Sequence, residues 1–414
     1  MSGQHGSRSA SALGGTTGPL AGLRVLDLSR LLPGGFCSLL LADYGAEVLK
    51  VEDTGLGDYI RWAPPAIDGV EPSAASALFL SLNRGKRSIR LDLKVREGQE
   101  VLLRLVREHD VLLESFRPGV LDRLGVGYER LKEENPGLVY CAITGYGHEG
   151  PDRGRPGHDL NYLARNGLLG LGGVADGPPV APAGQIADLG GGALMAAWAI
   201  LAALRERDRS GEGQFVDVGM TQGAQSWLAM IAARFLADGV EPERGRLELS
   251  GGLPCYRTYA CADGWVALGA LEPKFWEALC RGLGRDDLLG RHMDPAVAGE
   301  LEAVFAQRTR ADWAAFDDEH ACCLEPVRGL GEALADSELA EVAQPGATAP
   351  VRLLAPPVRF GRTPGDGTRP GPRLGEHTDA VLEGLGYDAG EIAALHAAGA
   401  VAGTGGASGG RFMA

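Results

Sequence analysis

The sequence predicts an α/β protein with a mostly parallel sheet, followed by a smaller α+β domain. Three observations carry this. Between residues 23 and 145, short and nearly continuous apolar runs alternate with helical stretches, as expected of strands covered on both faces. From about 250 to 335 the texture changes to a hairpin followed by helices. Residues 345–372 then carry seven prolines, the composition of an extended linker.

The elements follow in order. LRVLDLS (23–29) reads as a strand, and GGFCSLLLADYGA as a helix entered from Gly34-Gly35. EVLKVE (47–52) is the second strand, completing a β-α-β opening. SIRLDL (88–93) is strand, REGQEVLLRLVREHD (96–110) an amphipathic helix and VLLESF (111–116) strand again. VLDRLGVGYERLKEENPG is helical with breaks, and LVYCAITG (138–145) is a further strand. LGGGALMAAWAILAAL (189–204) is too short to span a membrane and reads as a buried helix. YRTYACADGWVALGA forms a hairpin turning at Asp263-Gly264. A helix starts at Pro273, a favoured first helical position, and another covers ADWAAFDDEHACC. EHTDAVLEGLGYDAGEIAALHAAGAV gives two short helices. The expected division is a tail at 1–17, a large domain at 18–225 and 345–401, a small domain at 250–335, and a tail at 402–414. Both tails are Gly/Ser-rich and read as disordered.

Composition narrows the function. A formal net charge of −14 over 414 residues makes nucleic acid and anionic membrane poor partners. Seven cysteines without a Cys-x-x-Cys read as reduced thiols of a cytoplasmic protein, with neither a disulfide framework nor a metal site. The N-terminus has no apolar secretory core.

Parallel sheets bind ligands beyond the carboxyl ends of their strands. RPGHDLNYLARNG (155–167) follows such an end and places His158 beside Asp159 in a Gly-bounded turn. A lone loop histidine is more often structural, but it can serve as acid or base near neutrality. Asp188, in GQIADLGGGALMAAW, falls at a helix start. Alone it reads as an N-cap, while the three glycines after it would let a ligand approach backbone N–H groups. Glu272, just before Pro273, is a helix cap or a functional acid with equal weight. Arg84, Lys86, Arg87, Lys94, Arg117 and Arg123 lie near strand ends and suit a phosphate-rich ligand such as coenzyme A. The first β-α-β unit ends in an acid, Glu52, but lacks Gly-x-Gly-x-x-Gly, which disfavours a dinucleotide.

Taken together, the motifs GPLAGLRVLDLSRLLPGGFCSLLLADYGAEVLKVE, NRGKRSIRLDLK, ESFRPGVLDRLGVGYE, ITGYGHEGP, GHDLNYLARNG, ADLGGG, RSGEGQFVDVGM, ALEPKFW and LGEHTDAVL resemble the family III CoA-transferase (CaiB/BaiF-like) superfamily, and within it the alpha-methylacyl-CoA racemase branch. The match covers about residues 18–400. The resemblance implies an interlocked homodimer of chains with a Rossmann-like large domain and a small domain. Its active site lies between the large domain of one chain and the small domain of the other. It implies catalysis by His158, Asp188 and Glu272, without a cofactor beyond the CoA of the substrate. It also implies CoA contacts from Leu91, Asp92, Leu93 and Lys94, from Ser115, Phe116, Arg117 and Arg123, and from Gly157, Asp159, Leu160, Asn161 and Tyr162. Where relatives carry an arginine after the second strand, this chain has Glu52-Asp53; Lys50 or Arg61 would have to substitute. His148 is outside the motif and reads as a surface residue.

Inverting an α-carbon needs a base on one face and an acid on the other. His158 and Asp188 would exchange these roles, Glu272 would orient the imidazole, and N–H groups at the Gly-rich helix start would hold the enolate. The expected activity is racemisation of 2-methylacyl-CoA thioesters by 1,1-proton transfer. The alternative is CoA transfer with Asp188 as nucleophile. A silent CoA-binding protein is a third possibility, which the intact triad disfavours.

Overall fold

The computed structural model describes residues 17–405. The chain divides into two compact units. The first holds the chain up to Tyr162, Gln185–Ala224 and the chain from Glu338 onward; the second holds Leu163–Gly184 and Gln225–Ser337. Residues 163–184, assigned from sequence to the large domain, therefore cluster with the second unit. The two expected tails fall largely outside the described residues. Ala402, placed in the second tail, is instead part of a strand.

Twelve strands occur among the described residues: β1 (Arg24–Asp27), β2 (Glu47–Glu52), β3 (Arg87–Leu91), β4 (Val111–Glu114), β5 (Val139–Thr144), β6 (Phe215–Gly219), β7 (Tyr256–Cys261), β8 (Gly264–Gly269), β9 (Leu324–Pro326), β10 (Leu339–Val342), β11 (Val351–Leu354) and β12 (Val401–Ala402). The main sheet of the first unit has the order β12-β3-β2-β1-β4-β5-β6. Every neighbour pair is parallel except β12 with β3. Leu26 in the central strand faces Leu49 on one side and Leu112 on the other. The apolar runs of β4 and β5 are buried throughout because helices cover both faces. On one face the helix Arg96–Glu108 buries Val101, Leu102, Leu105 and Val106 in a core shared with Leu382 and Ile392.

The order reverses between β1 and β4, so the crevice beyond their carboxyl ends is the expected ligand position. The helix Leu31–Asp43 starts three residues ahead of the glycine entry read from sequence. The Leu31 N–H donates to both carboxylate oxygens of Asp58, at 3.1 and 3.2 Å. Gly34 meets a packing need: a Cβ there would lie 2.1 Å from the Ser29 side chain.

The apolar segment 189–204 belongs to a longer helix, Ile186–Ser210, of 25 residues. Its length and mean hydropathy of 1.6 would suffice to cross a membrane, but half of its apolar window is buried as it packs on β5 and β6. Its first nine residues, Ile186–Leu194, form a π-helical stretch, a widened winding frequent at functional sites. The proline-rich segment 345–372 is more than a linker, because β11 within it pairs with β10.

In the second unit, β7, β8 and β9 form an antiparallel sheet packed on the helices Pro273–Leu283, Val297–Phe305 and Arg310–His320 through Trp276, Phe305, Trp313 and Tyr259. Cys261 pairs with Gly264, so the hairpin turns at Ala262-Asp263, one residue earlier than expected; Gly264 opens the return strand.

Candidate active site

The turn after β5 and the start of the helix Ile186–Ser210 are joined by one carboxylate. His158 precedes the helix Asp159–Arg165. Its carbonyl accepts from the N–H groups of Asn161 at 2.8 Å and Tyr162 at 3.2 Å, and its N–H donates to Asn161 Oδ1 at 3.0 Å. Asp159 Oδ1 accepts from the N–H groups of Ala187 at 2.7 Å and Asp188 at 2.9 Å. These bonds bring the His158 turn and Asp188 together across 29 residues of chain.

Tyr162 braces the turn. Its hydroxyl donates to the Gly157 carbonyl at 2.6 Å, and its ring meets Tyr146 edge-on at 5.2 Å. A Cβ on Gly157 would lie 2.7 Å from the Tyr162 ring, so the glycine of the turn is required by packing. His158 itself is exposed.

Asp188 is the perturbed acid of this corner. Burial, then the negative charge of Asp159, push its carboxyl up to about 7. The glycines that follow do not open the backbone to a ligand. A Cβ on Gly191 would lie 2.5 Å from the Ala224 backbone nitrogen, and one on Gly192 would lie 2.9 Å from Met220, so both permit close packing on the segment after β6. The N–H groups of Ala187 and Asp188 are taken by Asp159, and that of Leu189 by the Gln185 carbonyl. The expected enolate site at this helix start is therefore already filled, because the chain supplies its own anion.

The residues expected to hold CoA divide by exposure. Lys94, Arg117, Arg123 and Leu160 are exposed. Leu91 is buried in β3, opposite Val401 of β12, and Leu93 packs against the core. Asp92 Oδ1 accepts from the Lys94 N–H at 2.9 Å and shapes the loop after β3. Ser115 Oγ accepts from the Arg30 N–H at 3.2 Å, linking the loops after β1 and β4 at the topological switch. Phe116 donates its N–H to Glu114 Oε2 at 2.5 Å. Asn161 and Tyr162 have side chains committed to the His158 turn.

Several cations read as phosphate ligands have other work. Lys86 Nζ lies 3.1 Å from Asp27 Oδ2 with both side chains fully buried. Arg84 pairs with Asp43 at 2.6 Å, and Arg87 opens β3 at the end of the sheet away from the crevice. Neither substitute cation is free: Lys50 pairs with Asp58 at 2.9 Å, and Arg61 with Glu52 at 2.6 Å, all buried. Glu52 is thereby excluded as a ribose ligand. The candidate that sequence reading missed is Arg30, one loop past β1, whose guanidinium pairs with Asp53 at 2.8 Å and lies 5.2 Å over the Tyr59 ring. Its position after the first strand was the available signal.

His148 is not a surface residue. It is half-buried, its ring meets Phe215 edge-on at 5.0 Å, and its Nε2 lies 3.8 Å from Glu114 Oε1. Burial lowers its pKa and pushes that of Glu114 up to about 8. In the second unit, Glu272 stands at the N-cap of the helix Pro273–Leu283 but makes no side-chain cap bond, so its exposed carboxylate is not committed to the helix. Among the described residues no group of three or more His, Cys, Asp or Glu could hold a metal ion.

Comparison with known proteins places the chain in a family. Residues 20–378 match CoA-transferase family III. The chain is 38% identical to an alpha-methylacyl-CoA racemase of Mus musculus over 388 residues, which cover 91% of this chain and 96% of the relative. It is 36% identical to a succinyl-CoA:mesaconate CoA-transferase of Haloarcula marismortui over 395 residues, 90% of this chain and 98% of the relative. A crystal structure of a CaiB/BaiF family protein from Brucella suis superposes with a TM-score of 0.77 at 33% identity, covering 89% of this chain and all of that one. With the motif residues, the parallel sheet and the match over most of its length in agreement, the chain belongs to CoA-transferase family III.

Proposed function

We propose that this enzyme inverts the α-carbon of 2-methylacyl-CoA thioesters by 1,1-proton transfer. The observation that carries the reading is the pairing of an exposed His158 with an Asp188 whose carboxyl is raised to about 7. A carboxyl that titrates near neutrality is present in both forms, as an acid and base that exchange roles require, and a transferase acting through a carboxylate nucleophile would not need the imidazole. In one direction His158 removes the α-proton and Asp188 delivers a proton to the opposite face. In the other direction they exchange roles. The negative charge that develops on the thioester oxygen is assigned to N–H groups at the start of the helix Asp159–Arg165, beside His158. Arg117, Arg123, Lys94 and Arg30 are assigned to the phosphates and adenine end of CoA, beyond β1, β3 and β4.

Glu272 is given the role of orienting the imidazole, contributed by a second copy of the chain in a homodimer, as the family resemblance implies. Association is supported by the apolar stripe Leu194, Trp198 and Leu201, exposed at 47%, 69% and 42% along one face of the long helix. A cytoplasmic location is part of the same proposal, in keeping with seven unbridged cysteines.

The test is isotope exchange. One enantiomer of a 2-methylacyl-CoA in D2O should gain deuterium at the α-carbon and lose optical purity, and His158→Ala should abolish both. The second reading is CoA transfer between carboxylic acids, favoured by the transferase relatives of comparable identity. It is supported instead if no exchange occurs while added carboxylates accept CoA and hydroxylamine traps an acyl intermediate on Asp188.

A further inference from the structure

Family resemblance assigns Asp159 to coenzyme A, yet the geometry gives its carboxylate a different task. One oxygen, Oδ1, receives two backbone N–H groups, 2.7 Å from Ala187 and 2.9 Å from Asp188. These donors open a helix that continues for 25 residues. The N-terminus of such a helix carries partial positive charge and favours an ionised carboxylate. Asp188, in the first turn, would therefore lose its proton to the field of its own helix. An internal anion on the same N–H groups removes that field and adds a repulsive charge next to the acid. The bond to the Asp188 N–H also fixes the backbone from which the acid projects. No cation among the described residues forms an ion pair with Asp159.

We infer that Asp159 is a positioning residue for Asp188: by capping Ala187 and Asp188 it cancels the helix field and keeps the neighbouring carboxyl ready to donate a proton. This rests on the proposed α-carbon inversion for its purpose, but not for its measurement. The charged and titratable groups around the corner come from three segments. His158, Asp159 and Tyr162 come from the turn and its helix, Tyr146 from the loop after β5, and Arg117 from the loop after β4. The Tyr162 phenol is pushed up to about 12 by burial, then by the Asp188 charge; Arg117 opposes this weakly. Asp188 itself is raised first by burial and then by Asp159. A substitution can thus remove the charge of Asp159 while leaving the burial of Asp188 in place.

The experiment is carbodiimide labelling of Asp188, read by peptide mass spectrometry from pH 4.5 to 9, since only the protonated carboxyl reacts. Asp159→Asn keeps an oxygen facing the two N–H groups and removes the charge. The expected result is a labelling midpoint lowered by about one pH unit or more. At pH 7.5 that shift leaves roughly eightfold less protonated acid, and the alkaline limb of α-deuterium exchange moves down with it. If Asn at 159 disorders the helix start, Asp159→Ser supplies the same comparison. An unchanged midpoint in a folded variant overturns the inference. Labelling does not require turnover. A shifted midpoint in a protein that never exchanges α-protons would therefore retain Asp159 and remove the racemase reading. Exchange with an unmoved midpoint would do the reverse.

Discussion

Two regions of the first unit bury carboxyl groups, with different neighbours. Beneath β1 and β2, burial favours protonation of Asp27 and Glu52, but Lys50, Lys86 and Arg61 outweigh it and bring both down to about 2. Serine hydroxyls complete the set: Ser29 and Ser38 donate to Asp27, and Ser88 to Glu52. At the His158 corner burial is only partial, and no cation forms an ion pair with the acid among the described residues. Asp188 has a second carboxylate beside it and rises to about 7. Nearby, Glu114 rises to about 8, with only a poorly charged imidazole in reach. Burial is common to both regions, and the placement of cations decides which carboxyls are structural anions and which can exchange protons near neutrality.

The strongest way to break this contrast is at Asp188. Asp188→Asn should lower α-proton exchange on the order of 10^2- to 10^4-fold without lowering the melting temperature, since it replaces a partly buried acid by a neutral isostere. An activity loss traced to unfolding would remove the distinction. In the cation-rich region the reverse is expected. Lys86→Met leaves Asp27 buried beside one cation fewer, at about 3–5 kcal/mol of stability, measured by urea unfolding. A smaller effect is expected at the crevice. Arg117→Ala should raise the KM for acyl-CoA severalfold and weaken its salt dependence, with kcat changed less, because an exposed phosphate contact contributes mainly to binding.

The mildest test uses pH. Asp27 and Glu52 have depressed folded values, so their stabilisation is complete above about pH 4.5 and is lost as pH falls toward about 2. Glu114 and Asp188 have raised folded values, so the fold binds their protons more tightly than the unfolded chain does. Their contribution is present below about pH 4 and is withdrawn as pH rises through about 7 to 8. Glu114→Gln should therefore flatten the decline of melting temperature between pH 5 and 9. An identical decline in both proteins would show that Glu114 does not titrate in that window.

Much of the sheet was legible because its strands are short apolar runs bounded by polar residues. EVLKVE matches β2 at both ends, and the hairpin β7–β8 was read from its Asp263-Gly264 turn, within one residue of its place. The helix after β1 started earlier than read, because its N-terminal donor is satisfied by Asp58, 27 residues away. Such distant partners are what local pattern does not carry. Lys86 and Arg84 looked like phosphate ligands since sequence shows a charge but not the aspartate it meets, 59 and 41 residues distant. Likewise Asp159 read as a ligand contact beside His158, while its hydrogen bonds run to the start of another helix. The motifs nominate His158, Asp188 and Glu272, but they record residue types and not the electrostatics that distinguish one acid from another.

The antiparallel pairing of β12 with β3 bears on how the protein is made. Val401 lies opposite Leu91, so the outer edge of β3 stays open until a segment roughly 300 residues further along the chain has been synthesised. Residues 225–337, by contrast, form with residues 163–184 a second unit that takes no strand from the main sheet. An unfinished parallel sheet with an unpaired edge invites association with other nascent chains. Truncation just before β12 should therefore reduce soluble yield more than the removal of two residue pairings suggests.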